Sequence, residues 1–440
     1  MKSKRKVLIS LTLIVVGISF LIAFFSFFQP KDNKGNRNLF DNNQTYHFEA
    51  IRSLGYAVSG GADIDEVLLT LGRIDKGSNE SWYKEWKALA EEVYNKSQEY
   101  SYDPISKGNG FLKASNYYRT AEFFVSHLAH NDKDVLETYR KGVNAFYKGL
   151  ELLEIPVERF DVPWGDKSLP GYYVRGESEM NGDTLIVVVN GYDSTKEEEW
   201  FTLGRAAYER GFSFVCYDGP GQGGAIREHE IYMTHEWAPV NQAVLDYVLN
   251  EHKEINEIVL VGCSVGSTLA TKAAAADSRV DMLVQYDIMY DFGYTAQGNL
   301  PEFLESRVMV SGPRDPSVNR MLEIGMKADA EASWGLSHGA WIMNLGDDWA
   351  EVMYRYSFYE NSKDLPQIRI PVLLLVGMND HFVDDKVLEM TIHSLNNAES
   401  VTTRVYNSTE PGAEHCQVGA ITRMNADLFE WYFANSEKAK

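Results

Sequence analysis

The segment Ile258-Val259-Leu260-Val261-Gly262-Cys263-Ser264-Val265-Gly266 decides the fold of this 440-residue chain. Four apolar residues, typical of a strand buried on both faces, lead directly into G-x-S-x-G, and small residues with helical patterning follow. In this strand–turn–helix context the serine lies on a tight turn, which accepts only small residues two positions before and after it. The helix that follows would aim its first N–H groups at a developing oxyanion. We therefore predict that Ser264 is a nucleophile.

The pattern around this segment predicts an α/β fold. From residue 161 onward, short apolar strands alternate with segments of helical spacing. The interval between residues 285 and 371 is much longer than a crossover unit of about 30 residues. We therefore predict a helical lid insertion at about 288–365, above the strand ends where open α/β sheets bind ligands. The predicted strands are 185–189, 212–217, 258–261, 282–285, 371–376 and 401–406.

Residues 47–160 have a helical period instead. Trp82, Trp86 and Leu89 recur on one helix face, and aromatic residues are frequent throughout this part. Core packing accounts for most of these rings, and the others are candidates to line a cover over a binding site. We predict a helical N-terminal domain at 47–160 and an α/β domain at 161–440.

A serine nucleophile needs a base and an acid that orients the base, and in this topology the acid and then the histidine follow the serine. Asp380 lies in the loop after predicted strand 371–376, and His415 lies in the loop after predicted strand 401–406. All three side chains thus leave the same edge of the sheet. We predict that His415 takes the proton from Ser264 while Asp380 fixes the tautomer of the histidine.

Two alternatives to this assignment stay open. In the first, Asp380 only caps its loop, and Asp384 or Asp385 is the true partner of the histidine. In the second, His381 is the base, although its position next to Asp380 suits it poorly to accept support from that carboxylate.

The tetrahedral intermediate that such a serine forms needs two hydrogen-bond donors. The backbone N–H of Val265, directly after the nucleophile, is one candidate. The second should come from the loop after the first buried strand, where Gly191 permits a tight turn and the backbone N–H of Tyr192 follows. Asp291 is a candidate to orient substrate, although a salt bridge at the hinge of the lid is the simpler explanation.

The sequence motifs indicate neither a cofactor nor a metal. The loop Asp218-Gly219-Pro220-Gly221-Gln222-Gly223-Gly224 looks like a phosphate-binding loop, but it lacks the Walker lysine and the G-x-G-x-x-G spacing. A structural turn at the sheet edge is the better interpretation. Cys216, Cys263 and Cys416 show no CxxC spacing and no disulfide framework. We therefore expect no cofactor and no metal.

The first 46 residues differ from the rest in composition. Residues 1–6 form a basic tail, and residues 7–28 are uncharged and long enough to span a hydrocarbon core of about 30 Å as a helix. This run ends in phenylalanines rather than in a small-residue cleavage site, which favours a retained transmembrane signal-anchor helix over a secretory signal that is removed. Residues 29–46 are predicted to form a polar linker.

Charge sets the expected partners and location. The formal net charge is −21, and the excess of acidic residues lies after residue 40. Such a chain lacks the basic footprint that nucleic-acid binding needs. Translocating the four positive charges of the basic tail is costly, so we expect a single-pass protein of the cell membrane with its tail inside and its catalytic part extracytoplasmic. The sequence leaves the oligomeric state open.

Several of these motifs together resemble one branch of the α/β-hydrolases. That branch includes dihydroxypseudooxynicotine hydrolase, the fungal pigment-pathway hydrolases that shorten polyketides, and FrsA-like esterases. The resemblance implies the α/β-hydrolase fold, a Ser264–Asp380–His415 triad, and a helical domain that helps to close the active site. The motifs that carry it are Asn190-Gly191-Tyr192-Asp193-Ser194, Tyr217-Asp218-Gly219-Pro220-Gly221-Gln222-Gly223, Gly262-Cys263-Ser264-Val265-Gly266, Gly412-Ala413-Glu414-His415-Cys416-Gln417, Gly60-Gly61-Ala62-Asp63 and Ser81-Trp82-Tyr83.

The resemblance also defines the competing hypotheses for function. Members of this branch hydrolyse carboxylic esters or cleave carbon–carbon bonds beside a ketone. We expect a membrane-anchored serine hydrolase that acts on a small or medium carbonyl substrate, with a carboxylic ester as the first choice. A C–C bond hydrolase of β-diketones is the main alternative, and a serine peptidase and a non-catalytic surface binding protein are further ones. Asn190, where many hydrolases have His or Gly, and the N-terminal anchor depart from the family pattern.

Overall fold

The computed structural model describes residues 39–40, 43–177, 181–297, 300, 302–310, 315–328, 330–380 and 385–436. The predicted basic tail, the predicted signal-anchor helix and most of the predicted linker fall in residues 1–38, outside the described part of the chain. A membrane-spanning helix is not found among the described residues.

Helices occupy the first part of the described chain. Each helix begins after a side chain that accepts a backbone N–H of its first turn. The helix that starts at Gln44 is capped by Asn43 and so begins inside the predicted linker, where an Asn-rich stretch supplies the cap. The helices are α1 (Gln44–Gly55), α2 (Ile64–Leu71), α3 (Asn79–Glu99), α4 (Pro104–Glu122) and α5 (Lys133–Leu152), with a 3₁₀ turn at Tyr56–Ser59 between α1 and α2.

An aromatic cluster holds these helices together. Trp82 and Trp86 on α3 are fully buried. The Trp82 ring lies 4.9 Å from the ring of Tyr46 on α1 and 5.0 Å from that of Phe124 beyond α4. Its indole N–H donates to the carbonyl of Thr120 at 2.7 Å, so burial leaves that polar group paired. The face that the spacing of the tryptophans predicts is thus the buried face.

The described strands form one eight-stranded sheet in the order β1-β2-β4-β3-β5-β6-β7-β8. Strands β1 and β2 form an antiparallel hairpin, β2 also pairs antiparallel with β4, and the other neighbours are parallel. The predicted α/β class, with a mostly parallel sheet, is confirmed. The strands are β1 (Val157–Trp164), β2 (Lys167–Val174), β3 (Thr184–Val189), β4 (Ser213–Tyr217), β5 (Glu257–Cys263), β6 (Met282–Tyr286), β7 (Val372–Gly377) and β8 (Val401–Tyr406).

The β1–β2 hairpin was not predicted from the sequence. Strand β1 exposes half of its residues and contains Pro163, while Gly165 and Pro170 lie in the turn and in β2. Proline and glycine weaken a strand pattern, but the edge of a sheet tolerates them because one side of the strand needs no ladder partner. The sheet therefore begins at Val157, before the predicted boundary at residue 161.

Helices connect the strands and cover the sheet. Between β6 and β7 the described chain is helical, in the interval where the lid insertion was predicted. A π-helical turn, Trp200–Gly204, joins α6 to α7. The helices are α6 (Lys196–Glu199), α7 (Arg205–Tyr208), α8 (Gly223–Arg227), α9 (Ala238–Glu251), α10 (Val265–Ala276), the lid helices α11 (Phe292–Gln297), α12 (Glu302–Val310), α13 (Pro316–Ala328), α14 (Ala330–Ile342) and α15 (Trp349–Tyr356), then α16 (Asp385–Ser394) and α17 (Ile421–Asn435).

Alternate residues of the central strands face two different layers. In β3, Leu185, Val187 and Val189 pack in the core that contains α9 and α10, whereas Ile186 and Val188 pack in the core that contains α17 and part of α5. Every residue of β3 is buried. Because helices cover both faces, the central strands are continuous apolar runs, and polar side chains collect in the loops at the sheet edge.

Candidate active site

Ser264 lies on the turn between β5 and α10. Its backbone has φ 57° and ψ −124°, a region that few non-glycine residues occupy. Backbone crowds this turn: a Cβ atom on Gly262 would lie 2.2 Å from the carbonyl oxygen of Gly266, and one on Gly266 would lie 2.3 Å from that of Val189. The G-x-S-x-G spacing is therefore a steric requirement of a turn that leaves Ser264 partly exposed.

A hydrogen-bonded chain links Ser264, His415 and Asp380. His415 Nε2 lies 2.8 Å from Ser264 Oγ, and His415 Nδ1 lies 2.5 Å from Asp380 Oδ2. His415 is 5% exposed and Asp380 is 4% exposed. In a neutral His415, the Nδ1 hydrogen faces the carboxylate and the Nε2 lone pair faces the serine hydroxyl. The structure thus brings together the three predicted side chains from the loops after β5, β7 and β8.

Charge in this cluster favours proton uptake by His415. Burial by itself lowers the pKa of the imidazole, but the Asp380 carboxylate raises that pKa well above its ordinary value of 6.5. The rival base His381 and the rival acid Asp384 lie outside the described residues, as does the side chain of Asp385. Within the described residues, the arrangement of base and acid follows the predicted chain order.

Both backbone N–H groups predicted to bind an oxyanion belong to residues near the serine. Val265 is the first residue of α10, so its N–H lies at the positive end of that helix. The loop after β3 approaches from the neighbouring strand: a Cβ atom on Gly191 would lie 3.3 Å from the Cβ atom of Ser264. Tyr192 directly follows this point of closest approach. The structure therefore brings the loop that carries Tyr192 next to the turn that carries Ser264, and the role of the two N–H groups stays a prediction.

The side chain of Tyr192 is anchored in the lid. Its hydroxyl lies 2.6 Å from Tyr356 Oη and donates to the carbonyl of Gly335 at 2.8 Å. His338 Nε2 lies 3.1 Å from the carbonyl oxygen of Tyr192. Burial lowers the pKa of His338 to about 4, so its imidazole is neutral near pH 7 and the Nε2 hydrogen is the donor. The lid thus holds both the side chain and the carbonyl of Tyr192.

Helix α1 reaches the same loop through buried charges. Arg52 donates two hydrogen bonds to the Glu198 carboxylate, at 2.6 and 2.7 Å, and contacts Asp193 Oδ1 at 3.3 Å. Asp193 directly follows Tyr192 in the chain. Burial alone raises the pKa of the Asp193 carboxyl, but the Arg52 guanidinium holds it below its ordinary value. The helical part of the chain therefore fixes the loop that was predicted to supply an oxyanion donor.

The helical part also contacts the histidine and packs against the lid. Phe48, one turn before the arginine on α1, places its ring 6.2 Å from the ring of His415. Trp334 on lid helix α14 stacks on Phe123 at 4.8 Å. Trp334 also lines a cavity together with Arg119 and residues of the loop after β3. The surroundings of the site thus combine aromatic rings with buried guanidinium groups.

Asp291 makes the contacts of a helix cap. Its Oδ1 accepts the N–H of Tyr294 at 2.9 Å, at the start of α11. Its backbone forms an isolated bridge with Glu360, at the other end of the lid. Because Glu360 is also acidic, this pair is not the salt bridge that was considered for the hinge. The role of Asp291 in orienting substrate stays a prediction.

A second carboxyl beside the histidine was not predicted. Asp287 is fully buried directly after β6, and it offers a carboxylate oxygen that lies within 4.8 Å of the corresponding atoms of Asp380 and His415. Among the described residues, Asp287, Asp380 and His415 form the group whose ligand atoms are spaced closely enough to hold a metal ion. In that group, the Asp380 and His415 side chains already contact each other. The position of Asp287 directly after a strand was a signal in the sequence, as it was for Asp380.

The glycine-rich loop after β4 binds its own carboxylate. Asp218 accepts the N–H groups of Lys196 and Gly224, both at 2.8 Å, and pairs with Lys196 Nζ at 3.0 Å. A Cβ atom on Gly223 would lie 2.2 Å from the Asp218 carboxyl. The turn therefore closes on an internal anion, which fits the structural interpretation of its sequence.

Comparison with known proteins agrees with this geometry. Residues 186–417 match the profile of the Alpha/beta hydrolase family. The chain belongs to the α/β-hydrolase family. It is thus an enzyme of the hydrolase class, as the motifs predicted.

Fungal hydrolases are among the relatives of this α/β-hydrolase. It is 27% identical to the 20-hydroxy-prefusarin hydrolase FUS2 of Gibberella moniliformis and 28% identical to the hydrolase acrC of Aspergillus aculeatus, over 88% of this chain and 95% of each relative. Two solved structures share its fold. The 2,6-dihydroxy-pseudo-oxynicotine hydrolase has 19% identity and a TM-score of 0.66 over 88% of this chain and 97% of its own, and AbyA5 has 16% identity and a TM-score of 0.60 over 90% and 95%. The predicted resemblance to this branch is confirmed.

Replacing Arg52 by Met should destabilise this hydrolase by about 3 kcal/mol, because the change removes the guanidinium that binds the buried Glu198 carboxylate through two hydrogen bonds. The side chains of this pair are 8% and 1% exposed. Arg205→Met is the matched control: its pair with Glu209 is 37% and 56% exposed, so its loss should cost less than about 1 kcal/mol. Urea denaturation of both variants gives the two free energies of unfolding. Equal losses would contradict a special role for the buried pair.

Proposed function

We propose that this hydrolase uses Ser264, His415 and Asp380 as a catalytic triad and acts through an acyl-enzyme on a small or medium carbonyl substrate. The observation that carries the proposal is the continuous hydrogen-bonded chain from the strained serine through the imidazole to the carboxylate. The substrate carbonyl would sit between the serine hydroxyl and the N–H groups of Val265 and Tyr192. We place no cofactor and no metal in this reaction.

In the first half-reaction, Ser264 Oγ bonds to the carbonyl carbon while its proton moves to His415 Nε2. The carbonyl electrons move onto oxygen, and the N–H groups of Val265 and Tyr192 bind the resulting oxyanion. The intermediate collapses, the bond to the leaving group breaks, and His415 returns the proton to that group. Water, deprotonated by His415, then attacks the acyl carbon and forms a second tetrahedral intermediate. This intermediate collapses, the bond to Ser264 Oγ breaks, and His415 returns the proton to Oγ, which regenerates Ser264 and releases the acid. Asp380 holds the imidazole in the tautomer that both halves need.

A carboxylic ester is the substrate class that this proposal places first. The leaving group is then an alkoxide, which the imidazolium protonates directly. A carbon–carbon bond beside a ketone is the second candidate, and the raised pKa of His415 favours it as well, because a departing carbanion also needs a proton donor close by. The names of FUS2 and of the 2,6-dihydroxy-pseudo-oxynicotine hydrolase give 20-hydroxy-prefusarin and 2,6-dihydroxy-pseudo-oxynicotine as the compounds hydrolysed rather than peptides, which makes a peptidase the less favoured hypothesis.

Replacing Ser264 by Ala should reduce turnover roughly ten-thousand-fold or more and abolish labelling by a fluorophosphonate, since the nucleophile is removed while the fold is kept. The control is Ser357→Ala, which removes a lid hydroxyl that only donates to the carbonyl of Tyr354. The assay compares p-nitrophenyl esters with β-diketones. Labelling that survives in the Ser264 variant would contradict the assignment, and a wild type that neither takes the label nor hydrolyses either substrate class would favour a binding protein.

The rate should fall as pH decreases through a pKa above 6.5, because His415 acts as a base only when neutral and Asp380 raises its pKa. Asp380→Asn removes that charge, so the acidic limb of kcat/KM should move to lower pH while kcat falls by about 10⁴-fold. Asp427→Asn, which removes a carboxylate paired with Arg404 outside the site, should leave the limb in place. If the acidic limb of kcat/KM stays in place in Asp380→Asn, Asp380 is not the partner of His415.

Membrane attachment is a separate part of the proposal, supported by the uncharged run 7–28 and the basic tail before it. The full chain should pellet with membranes and resist extraction by alkaline carbonate, whereas a variant lacking residues 2–30 should remain in the supernatant. Protease added to intact cells should degrade the catalytic part if it is extracytoplasmic. If expression of the full chain gives a protein in the supernatant with a shortened N-terminus, the segment is a removed signal instead.

A further inference from the structure

One carboxyl near the triad has no part in the mechanism proposed above. Asp287 is fully buried, and it directly follows β6. Strand β6 lies between β5, which leads to Ser264, and β7, which leads to Asp380. The inference drawn from Asp287 rests on the proposed function, because it concerns how those catalytic side chains are held.

The carboxylate of Asp287 joins two of the catalytic loops. Its Oδ2 accepts the backbone N–H of Gly377 at 3.1 Å and the side-chain amide of Gln417 at 3.0 Å. Gly377 ends β7, three residues before Asp380, and Gln417 lies two residues after His415. A single oxygen atom is thus bonded to the segment that carries the acid and to the segment that carries the base.

The backbone beside Asp287 contacts the third loop. The carbonyl of Tyr286 accepts the N–H of Ser264 at 2.7 Å. The carbonyl of Asp287 accepts the hydroxyl of Ser267, on the first turn of the helix that follows the nucleophile. The phenol of Tyr286 in turn donates to the carbonyl of Cys416, next to His415. The dipeptide Tyr286-Asp287 therefore makes hydrogen bonds to all three loops of the triad.

The charges of Asp287, Asp380 and His415 also affect one another. Burial and the neighbouring Asp380 carboxylate raise the pKa of Asp287 well above its ordinary range, whereas His415 lowers it. The other titratable groups at this point are the thiol of Cys416 and the phenol of Tyr286, and burial raises the pKa of both, so they stay neutral near pH 7. Among these groups, the His415 imidazole is therefore the one whose charge interacts with the carboxyls of both Asp287 and Asp380.

We propose that Asp287 is a positioning residue of the triad: it ties the acid and base loops to the strand between them and offers the imidazolium a second carboxylate. When His415 takes the serine proton, its positive charge lies beside two carboxyls rather than one. Because its own pKa is raised, Asp287 gives up its proton most readily when His415 is charged, and the ionised carboxylate then stabilises the imidazolium and raises the pKa of His415. An asparagine in its place removes that stabilisation, so the acidic limb of the pH profile moves to lower pH.

The experiment measures the second-order rate at which a fluorophosphonate labels Ser264, as a function of pH, so it needs no knowledge of the substrate. Asp287→Asn removes the charge and keeps the shape. Its labelling rate at pH 8 should fall by about tenfold or more, and the midpoint of its acidic limb should move down by about one pH unit. Gln417→Leu removes one hydrogen bond to Asp287 and keeps the charge, so its rate should fall while the midpoint stays in place.

Glu257→Gln is the matched control for loss of a buried carboxylate. Glu257 begins β5, at the opposite end of the strand from Ser264, and accepts hydrogen bonds from Thr184, Tyr432 and Ser436. Its loss should lower the melting temperature and leave the labelling rate and the midpoint unchanged. The control therefore separates a general loss of stability from a change at the triad.

Each outcome decides the proposal. A folded Asp287→Asn protein with the wild-type rate and midpoint would overturn it, and so would a loss of rate that Glu257→Gln reproduces with no shift of the midpoint. If Asp287→Asn does not fold, Gln417→Leu decides. A wild-type labelling rate in Gln417→Leu would mean that the hydrogen bond between Asp287 and the loop of the base does not position the triad, and this would overturn the proposal. Absence of labelling in the wild type would overturn the proposed function itself and this inference with it.

Discussion

The parallel register of strands β5 to β8 is the constraint on which the site depends. Cys263 pairs with Tyr286, and Gly377 pairs with Tyr406, so these strands end at nearly the same level of the sheet. A slip of one residue would shift a loop by about 3.3 Å and turn its side chains to the other face. A hydrogen bond of 2.8 Å between His415 and the serine does not survive such a shift. The loops that follow these strands carry Ser264, Asp287, Asp380 and His415.

The buried charges around Arg52 are better explained by specificity than by stability. Taking ion pairs out of water costs several kcal/mol per ion, and well-packed apolar residues are often as stable in the same place. An apolar contact would hold α1 against the sheet but would not select one position for it. The bidentate contact with Glu198 and the contact with Asp193 do select one, because guanidinium and carboxylate groups bind in a fixed geometry. Through Asp193, the helical part of the chain determines the position of the loop that contains Tyr192.

The sequence predicted the features that obey strong local rules. The small residues around Ser264 are dictated by backbone crowding. Chain order and position after a predicted strand made Asp380 and His415 the first candidates, and the structure brings these two side chains together with the serine, while the alternatives His381 and Asp384 lie outside the described residues. The β1–β2 hairpin was missed because proline, glycine and polar residues obscure the strand pattern, most of all in the half-exposed edge strand β1. The position of Asp287 directly after a strand was visible in the sequence, but its hydrogen bonds to residues 90 and 130 positions away leave no local pattern, so its role was missed.

The choice between an ester and a carbon–carbon bond depends on the leaving group, and the triad is the same for both. An alkoxide and a carbanion differ in where they accept the proton and in how much water they tolerate nearby. The side chains that decide this are those that cover the serine and the histidine. In this chain the cover comes from two directions, with Phe48 from the helical part and Tyr192 held by the lid. Under the proposed function, a substrate would fit between elements whose positions are fixed by a buried ion pair on one side and by tyrosine hydrogen bonds on the other, and selectivity would then depend on that cover rather than on the sheet.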